Sequence, residues 1–475
     1  MSSHKDFKKY ASQFTDWIGA YLSDVEKFPV RSMVKNGDIK KQIHHNPPAG
    51  PEQIDDIFED FKKIIFPGVT HWQSPKFFAY FPSNSSDPSL LAEFLTAALG
   101  IQGMKWITSP AATELEEVVT EWMRQMTGIP EAFSGVIQDT ASVSTLCAII
   151  AAREKATGFR SNSKGLENNI LRVYCSEEAH SSVEKAVRIA GLGSGNLVKI
   201  PVDELGRLLP EKLTEAVEND LKKGYKPACI VAALGTTGLC AIDPVKSMGQ
   251  LAKKHDIWFH IDAAFAGTAL IIPEFRNTIG GLEFADSIVL NPHKWMFTNF
   301  DCSLLFVKDK NHLQKTFSLV PEYLNTNDQG ANDYSNWGIQ LGRRFRSLKL
   351  WFVIRNFGVK GIQDRIRKHI DLAAFFADEI SKHSDFELIV PRTLSLVCFR
   401  WKGNKEMPLT MLNSFNAELL EKINSTGRIY LSHTVFRDKY TLRFVCAQTN
   451  TEIKHVLEAL DVIFDCAGKL KPREC

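Results

Sequence analysis

Excess charge is nearly absent from the 475-residue sequence: 57 Lys and Arg stand against 55 Asp and Glu, a net charge of +2. Nothing in that balance asks for nucleic acid or an anionic membrane as partner. No apolar run approaches the roughly 20 residues of a membrane-spanning helix. The first residues, Met1 to Lys9, are polar and lack the apolar stretch of a secretion signal. The nine cysteines are scattered singly from Cys147 to Cys475 with no CxxC pair, which reads as reduced thiols in a cytoplasmic protein. GxGxxG and GxxxxGK are both missing, which argues against a dinucleotide-binding dehydrogenase and a P-loop. What remains is ordinary globular composition, 44% hydrophobic and 24% charged, which excludes a disordered or collagen-like chain.

Residues 1–84 carry apolar residues at helical spacing, as in "FTDWIGAYLSDVEKFPV" and "IDDIFEDFKKIIFPG". Such a segment is too short for its own core and is expected to pack on something else, a second subunit among the options. From about residue 85 to 352 short apolar runs alternate with helical stretches. "LRVYC" (171–175), "ACIVAALGTT" (228–237), "IWFHIDAA" (257–264), "ADSIVLN" (285–291) and "CSLLFVK" (302–308) read as strands. That alternation predicts a large α/β domain with a mostly parallel sheet, whose ligands sit at the carboxyl ends of the strands. The stretch 321–338, "PEYLNTNDQGANDYSNWG", is polar and long enough to be a functional lid. Residues 353–475 read as a small α+β domain.

Four stretches could carry chemistry. In "LNPHKW", Lys294 follows a buried strand, where a lysine becomes nucleophilic if its ammonium is desolvated. A plain solvated strand-end lysine fits the hexamer as well. In "FHIDAAFAG", Asp262 ends a strand and needs a partner, because an unpaired buried charge is costly. That partner could be a metal, an arginine or a protonated heterocyclic nitrogen. Only His260 lies close enough to join it as a ligand, so no metal site is expected. In "EEAHSSVEKA", Ser181 to Glu184 fits a capping box, which puts His180 at a strand-to-helix turn, able to stack on a planar ligand. In "IQDTASVSTLCAIIAA", Thr140, Ala141 and Ser142 start an apolar helix and offer donors to an anion such as phosphate. An amine, an acid, a stacking ring and an anion site together are what pyridoxal phosphate requires.

On these residues the chain resembles the group II pyridoxal-phosphate-dependent decarboxylases, and among them the aromatic L-amino acid decarboxylases. The likeness runs from "FTDWIGAYL" to "YTLRFV" through "HWQSPKFFAYFPSNSS", "SPAATELEEVV", "GVIQDTAS", "LGTTG", "HIDAAFAG", "ADSIVLNPHKW" and "LGRRFRSLKLWFV". It implies a fold type I, transferase-like α/β protein acting as a homodimer. Lys294 would hold pyridoxal 5'-phosphate covalently, Asp262 would pair with its ring nitrogen, and His180 would stack on its face. Thr140, Ala141, Ser142, Asn291 and His293 would hold or neighbour the phosphate, with Thr237 and Ala264 near the ring. Trp72, Tyr80, Phe81, Pro82 and Ser83 would line the substrate pocket, with Phe300 a further wall. Gln102 and Met104 would reach the neighbouring subunit's pocket. Tyr334 would stand on the lid, close over the site and return a proton to the substrate carbon. The implied reaction converts tryptophan, tyrosine, phenylalanine or hydroxylated forms to arylalkylamines and CO₂. A histidine decarboxylase or an aromatic aldehyde synthase is the alternative within the family. Gly342, where relatives preferring imidazole or phenol rings often carry serine, implies room for a larger ring. Asp139, where glycine is common, adds a negative charge beside the phosphate site.

Overall fold

The computed structural model describes residues 4–319, 331–403 and 407–470. The chain separates into two compact units. One comprises Ser83–Asp371 with Val390–Leu396, and the other Met1–Pro82, Leu372–Ile389 and Val397–Cys475. The expected boundary near residue 352 thus falls later, and the N-terminal segment joins the C-terminal α+β part. The physical reason is a helix, Arg346–Lys382, kinked at Gly358 but otherwise continuous. Its last residues, Leu372, Ala373, Phe376, Ala377 and Ile380, belong to the core of the second unit.

The larger unit is built on a seven-stranded sheet. Its strands are β1 (Ser134–Gln138), β2 (Leu171–Ser176), β3 (Leu197–Ile200), β4 (Lys226–Ala233), β5 (Trp258–Asp262), β6 (Ser287–Leu290) and β7 (Ser303–Val307), in the order β1-β7-β6-β5-β4-β2-β3. The neighbours from β3 to β6 are parallel. Strands β6 and β7 are buried along their whole length and β4 and β5 along most of theirs, which suits continuous apolar runs covered on both faces. Strand β7 is antiparallel to both β6 and β1. The link from β6 to β7 holds only one helical turn, Pro292–Trp295, too little for a parallel crossover. The helix Ala141–Thr157 follows β1, and its buried residues join the side chains of β1, β2, β4 and β7 in one core.

The other unit begins with the helix His4–Asp24, where Trp17 meets Phe58, Phe61 and Phe66 edge-on at 5.9, 5.3 and 5.3 Å. Its sheet has the order β10-β11-β9-β8, with β8 (Phe386–Leu388), β9 (Leu396–Trp401), β10 (Ser432–Phe436) and β11 (Lys439–Val445). Phe78, Phe376 and Phe444 stack at its centre, with Phe376 and Phe444 3.8 Å apart. Among the described residues no helix is long and apolar enough to cross a membrane.

Candidate active site

Lys294 lies in the single turn that follows β6, and its flanks are fixed. Asn291 N–H donates to Ala264 O at 3.0 Å, joining this turn to the end of β5. Trp295 is fully buried, stacks on Phe265 at 4.7 Å and donates from Nε1 to His369 Nδ1 at 3.0 Å. Close packing of the strand-end loops depends on glycine. A Cβ on Gly267 would stand 2.7 Å from Leu290 Cβ, and one on Gly235 (φ +94°) 2.8 Å from Ala266 Cβ. Burial holds the Lys294 ammonium below the ordinary lysine range, and nearby Asp262 partly offsets this. The sign favours the neutral, nucleophilic amine.

Asp262 is the last residue of β5, opposite Ala233 of β4 and Val289 of β6. Its Oδ1 accepts the Ala264 N–H at 3.0 Å. His180, after β2, is the N-cap of the helix Ser181–Ile189, one residue earlier than the capping box implied. Its Nδ1 accepts Ser182 N–H at 3.1 Å and lies 2.8 Å from Ser182 Oγ. A backbone N–H can only donate, so the neutral ring carries its proton on Nε2. Burial lowers its pKa, Asp262 raises it and Lys294 lowers it, so the three groups share one electrostatic neighbourhood. His293, buried on the other flank, accepts Cys302 N–H at Nδ1 over 2.9 Å, and burial pushes it down to about 3.

Thr140 caps the helix Ala141–Thr157, whose first N–H groups have no intrahelical acceptor. Ser142 is exposed at that start. Asp139, the unexplained charge, accepts Thr140 N–H, Thr140 Oγ1 at 3.0 Å and Gln340 Nε2 at 2.7 Å. Its carboxylate is therefore held by three donors. Thr237 lies in the turn after β4, where Leu234 N–H donates to Asp262 O at 2.8 Å. The buried Asn291 Oδ1 has no partner among the described residues. A desolvated amine, a nearby carboxylate, a helix start with N–H groups to offer and an orphaned buried amide fit pyridoxal phosphate.

Four of the residues expected to line a substrate pocket fall in the smaller unit and the others in the larger one. Trp72, Tyr80, Phe81 and Pro82 belong to the smaller one, where Trp72 stacks on Phe77 at 4.4 Å and on Tyr80 at 5.9 Å. Tyr80 Oη is 3.1 Å from Tyr430 Oη, and Arg443 lies over the Phe81 ring at 5.5 Å. Ser83 opens the larger unit, followed by Asn84, whose N–H donates to His293 O at 2.9 Å. Phe300 is exposed and 4.8 Å from the His293 ring. Gln102, Met104 and Gly342 come together: a Cβ on Gly342 would stand 3.3 Å from Gln102 Oε1, and Ser335 N–H donates to Met104 O at 2.9 Å.

Tyr334, expected on the lid, is buried here. It starts a short 3₁₀ turn, Tyr334–Trp337, is only 3% exposed and joins the core of the larger unit. Its ring lies 5.3 Å from Trp337 and 4.9 Å from the Arg343 guanidinium, with Thr120 close to its hydroxyl. The reason is local sequence: "YSNW" puts two aromatic rings into one turn, and burying them outweighs the polarity around them. The polar stretch holds a second tyrosine, Tyr323, which lies outside the described residues together with most of the expected lid. The reading of the residues also assigned nothing to Glu116 and Arg343, although two adjacent arginines ahead of an apolar helix signal a site for a buried ion pair.

This geometry defines a pyridoxal-phosphate enzyme of the fold type I class. Residues 37–402 match the model of the pyridoxal-dependent decarboxylase conserved domain, and the chain belongs to that family. Tryptophan decarboxylase 2 of Oryza sativa subsp. japonica is 44% identical over 98% of the chain and 95% of its own length. A phenylacetaldehyde synthase of Arabidopsis thaliana is also 44% identical, over 98% and 96%. The crystal structure of Catharanthus roseus tryptophan decarboxylase with L-tryptophan superposes with a TM-score of 0.92, covering 99% of both chains at 39% identity.

Proposed function

We propose that this enzyme decarboxylates aromatic L-amino acids to arylalkylamines, with the reaction centred on Lys294. The observation that carries the reading is the amine of Lys294, desolvated and set among Asp262 and His180 at the carboxyl ends of β6, β5 and β2. Bound pyridoxal phosphate supplies an electrophilic carbon for an amine and a conjugated ring that takes up the electron pair left by CO₂. Lys294 would hold that carbon through its neutral amine, give it up to the substrate amine and take it back as product amine leaves. Asp262, steadied by the Ala264 N–H, holds a proton on the ring nitrogen and so stabilises charge that develops only as CO₂ departs. His180 keeps its Nε2 proton, because Nδ1 is occupied by the Ser182 N–H. Its ring can therefore lie face-on to the cofactor without adding a charge. The start of the helix Ala141–Thr157, with Asn291 and His293, would hold the phosphate.

The active form is a homodimer. Leu91, Phe94, Leu95 and Leu99 on the helix Asp87–Leu99 are 56, 43, 48 and 60% exposed, an apolar face that a second copy would cover. The scattered cysteines support a cytoplasmic location. An aldehyde synthase is retained as a second reading because a phenylacetaldehyde synthase and a tryptophan decarboxylase are equally similar to the chain, both at 44% identity. The test is turnover of tryptophan, tyrosine, phenylalanine, dopa and histidine with amine, aldehyde, CO₂ and O₂ all followed. Amine without O₂ uptake is expected; aldehyde with O₂ uptake selects the second reading, and turnover of histidine alone refutes both.

A further inference from the structure

Strand β1 stands at one end of the sheet and pairs only with β7. Its other edge would leave N–H and C=O groups unpaired. At Ile137 two side chains take the place of a neighbouring strand. Ile137 N–H donates to Glu116 Oε1 at 2.8 Å, and Ile137 O accepts from Arg343 Nη2 at 2.7 Å. Glu116 and Arg343 pair with each other at 2.6 Å, with 4% and 5% of their side chains exposed. The next residues along the edge are held by the same segment. Gln138 Nε2 donates to Trp337 O at 3.2 Å, and Gln340 Nε2 to Asp139 at 2.7 Å. Residues 337–343 therefore grip β1 where it runs into the Asp139–Ser142 turn.

Arg343 also holds a second segment. Its N–H donates to Gln102 Oε1 at 3.2 Å, its C=O accepts Gly103 N–H at 2.9 Å, and its Nη1 donates to Gly103 O at 3.2 Å. A planar guanidinium with five fixed donors can serve three acceptors on separate segments at once. An ammonium presents its donors from one nitrogen and cannot span them.

We infer that Arg343, paired with Glu116, is a positioning residue that sets the Gln102–Met104 turn against the Asp139–Ser142 turn and so couples substrate choice to cofactor affinity. The inference rests on the reading that the first turn faces substrate and the second the phosphate. The experiment compares the parent with Arg343→Lys and Glu116→Gln. It measures the dissociation constant of pyridoxal phosphate from the apoprotein, the kcat/KM ratio of tryptophan to phenylalanine, and melting of the apoprotein. Arg343→Lys is expected to weaken cofactor binding about tenfold, the worth of one charge-assisted hydrogen bond, and to shift the substrate ratio. Glu116→Gln should move both in the same direction by less. A purely structural pair would lower melting and leave the affinity and the ratio at parental values, and that result overturns the inference. If Arg343→Lys does not fold, parental values in folded Glu116→Gln overturn it equally. If the parent binds cofactor but turns over neither amino acid, the substrate reading fails, and the affinity measurement alone still decides for or against the pair.

Discussion

Replacing Tyr334 by phenylalanine separates a proton donor from a core residue. The ring is 3% exposed and packs on Trp337 and under Arg343, and only its hydroxyl reaches Thr120. The substitution keeps all the ring contacts and removes one buried hydroxyl, at a cost of about 1 kcal/mol. Thr120 Oγ1 still has Glu116 O at 2.8 Å, so no hydroxyl donor is stranded. For a chain of this size the loss lowers melting by about 1–2 °C. Tyr334→Ala also removes the ring, costs about 3–5 kcal/mol and lowers melting several times further. Calorimetry gives the first quantity, and amine and aldehyde yields under air give the second. Tyr334→Phe is expected to keep the parental ratio of amine to aldehyde. Aldehyde rising in Tyr334→Phe with unchanged melting refutes this reasoning and returns Tyr334 to the chemistry.

Further outcomes follow from the same contacts. Gly342→Ser places a Cβ 3.3 Å from Gln102 Oε1 and crowds that amide; kcat/KM for tryptophan relative to tyrosine should fall about tenfold, read from competition assays. Asp262→Asn removes the charge beside the ring nitrogen and should lower kcat by about 10²–10³, with cofactor still bound on gel filtration. Stability should fall with acid, because burial holds folded His293 and His260 neutral to about 3 and about 4 while their unfolded counterparts take up protons below the ordinary histidine value. Asp243, pushed up to about 6, works the other way below pH 6 and cancels one of the two. A fall in stability between pH 6 and 4 is expected in urea titrations, and a rise there contradicts the burial of the histidines.

The strands that carry chemistry were legible because they are fully buried. The apolar runs at 228–233, 258–262, 287–290 and 303–307 all became strands, and Lys294 and Asp262 stand at the ends of β6 and β5. Strands β1 and β3 escaped because "SGVIQ" and "LVKI" are short, and β1 closes one edge with side chains in place of a neighbouring strand. The unit boundary was hidden inside the helical stretch Arg346–Lys382, where no loop marks it. The burial of Tyr334 was not legible, because no periodicity in an irregular stretch tells an inward ring from an outward one. Asp139 was visible as a charge, but its partner Gln340 lies 201 residues away. Such long-range pairing leaves no local trace.

The central claim is that Lys294 carries the cofactor and the reaction. Lys294→Ala, prepared and incubated with pyridoxal phosphate, tests it most directly through the visible absorbance of lysine-bound cofactor and the release of CO₂ from tryptophan. The account predicts a folded protein with the parent's melting profile, no lysine-linked absorbance and no steady-state turnover. Undiminished CO₂ release from that variant would contradict it.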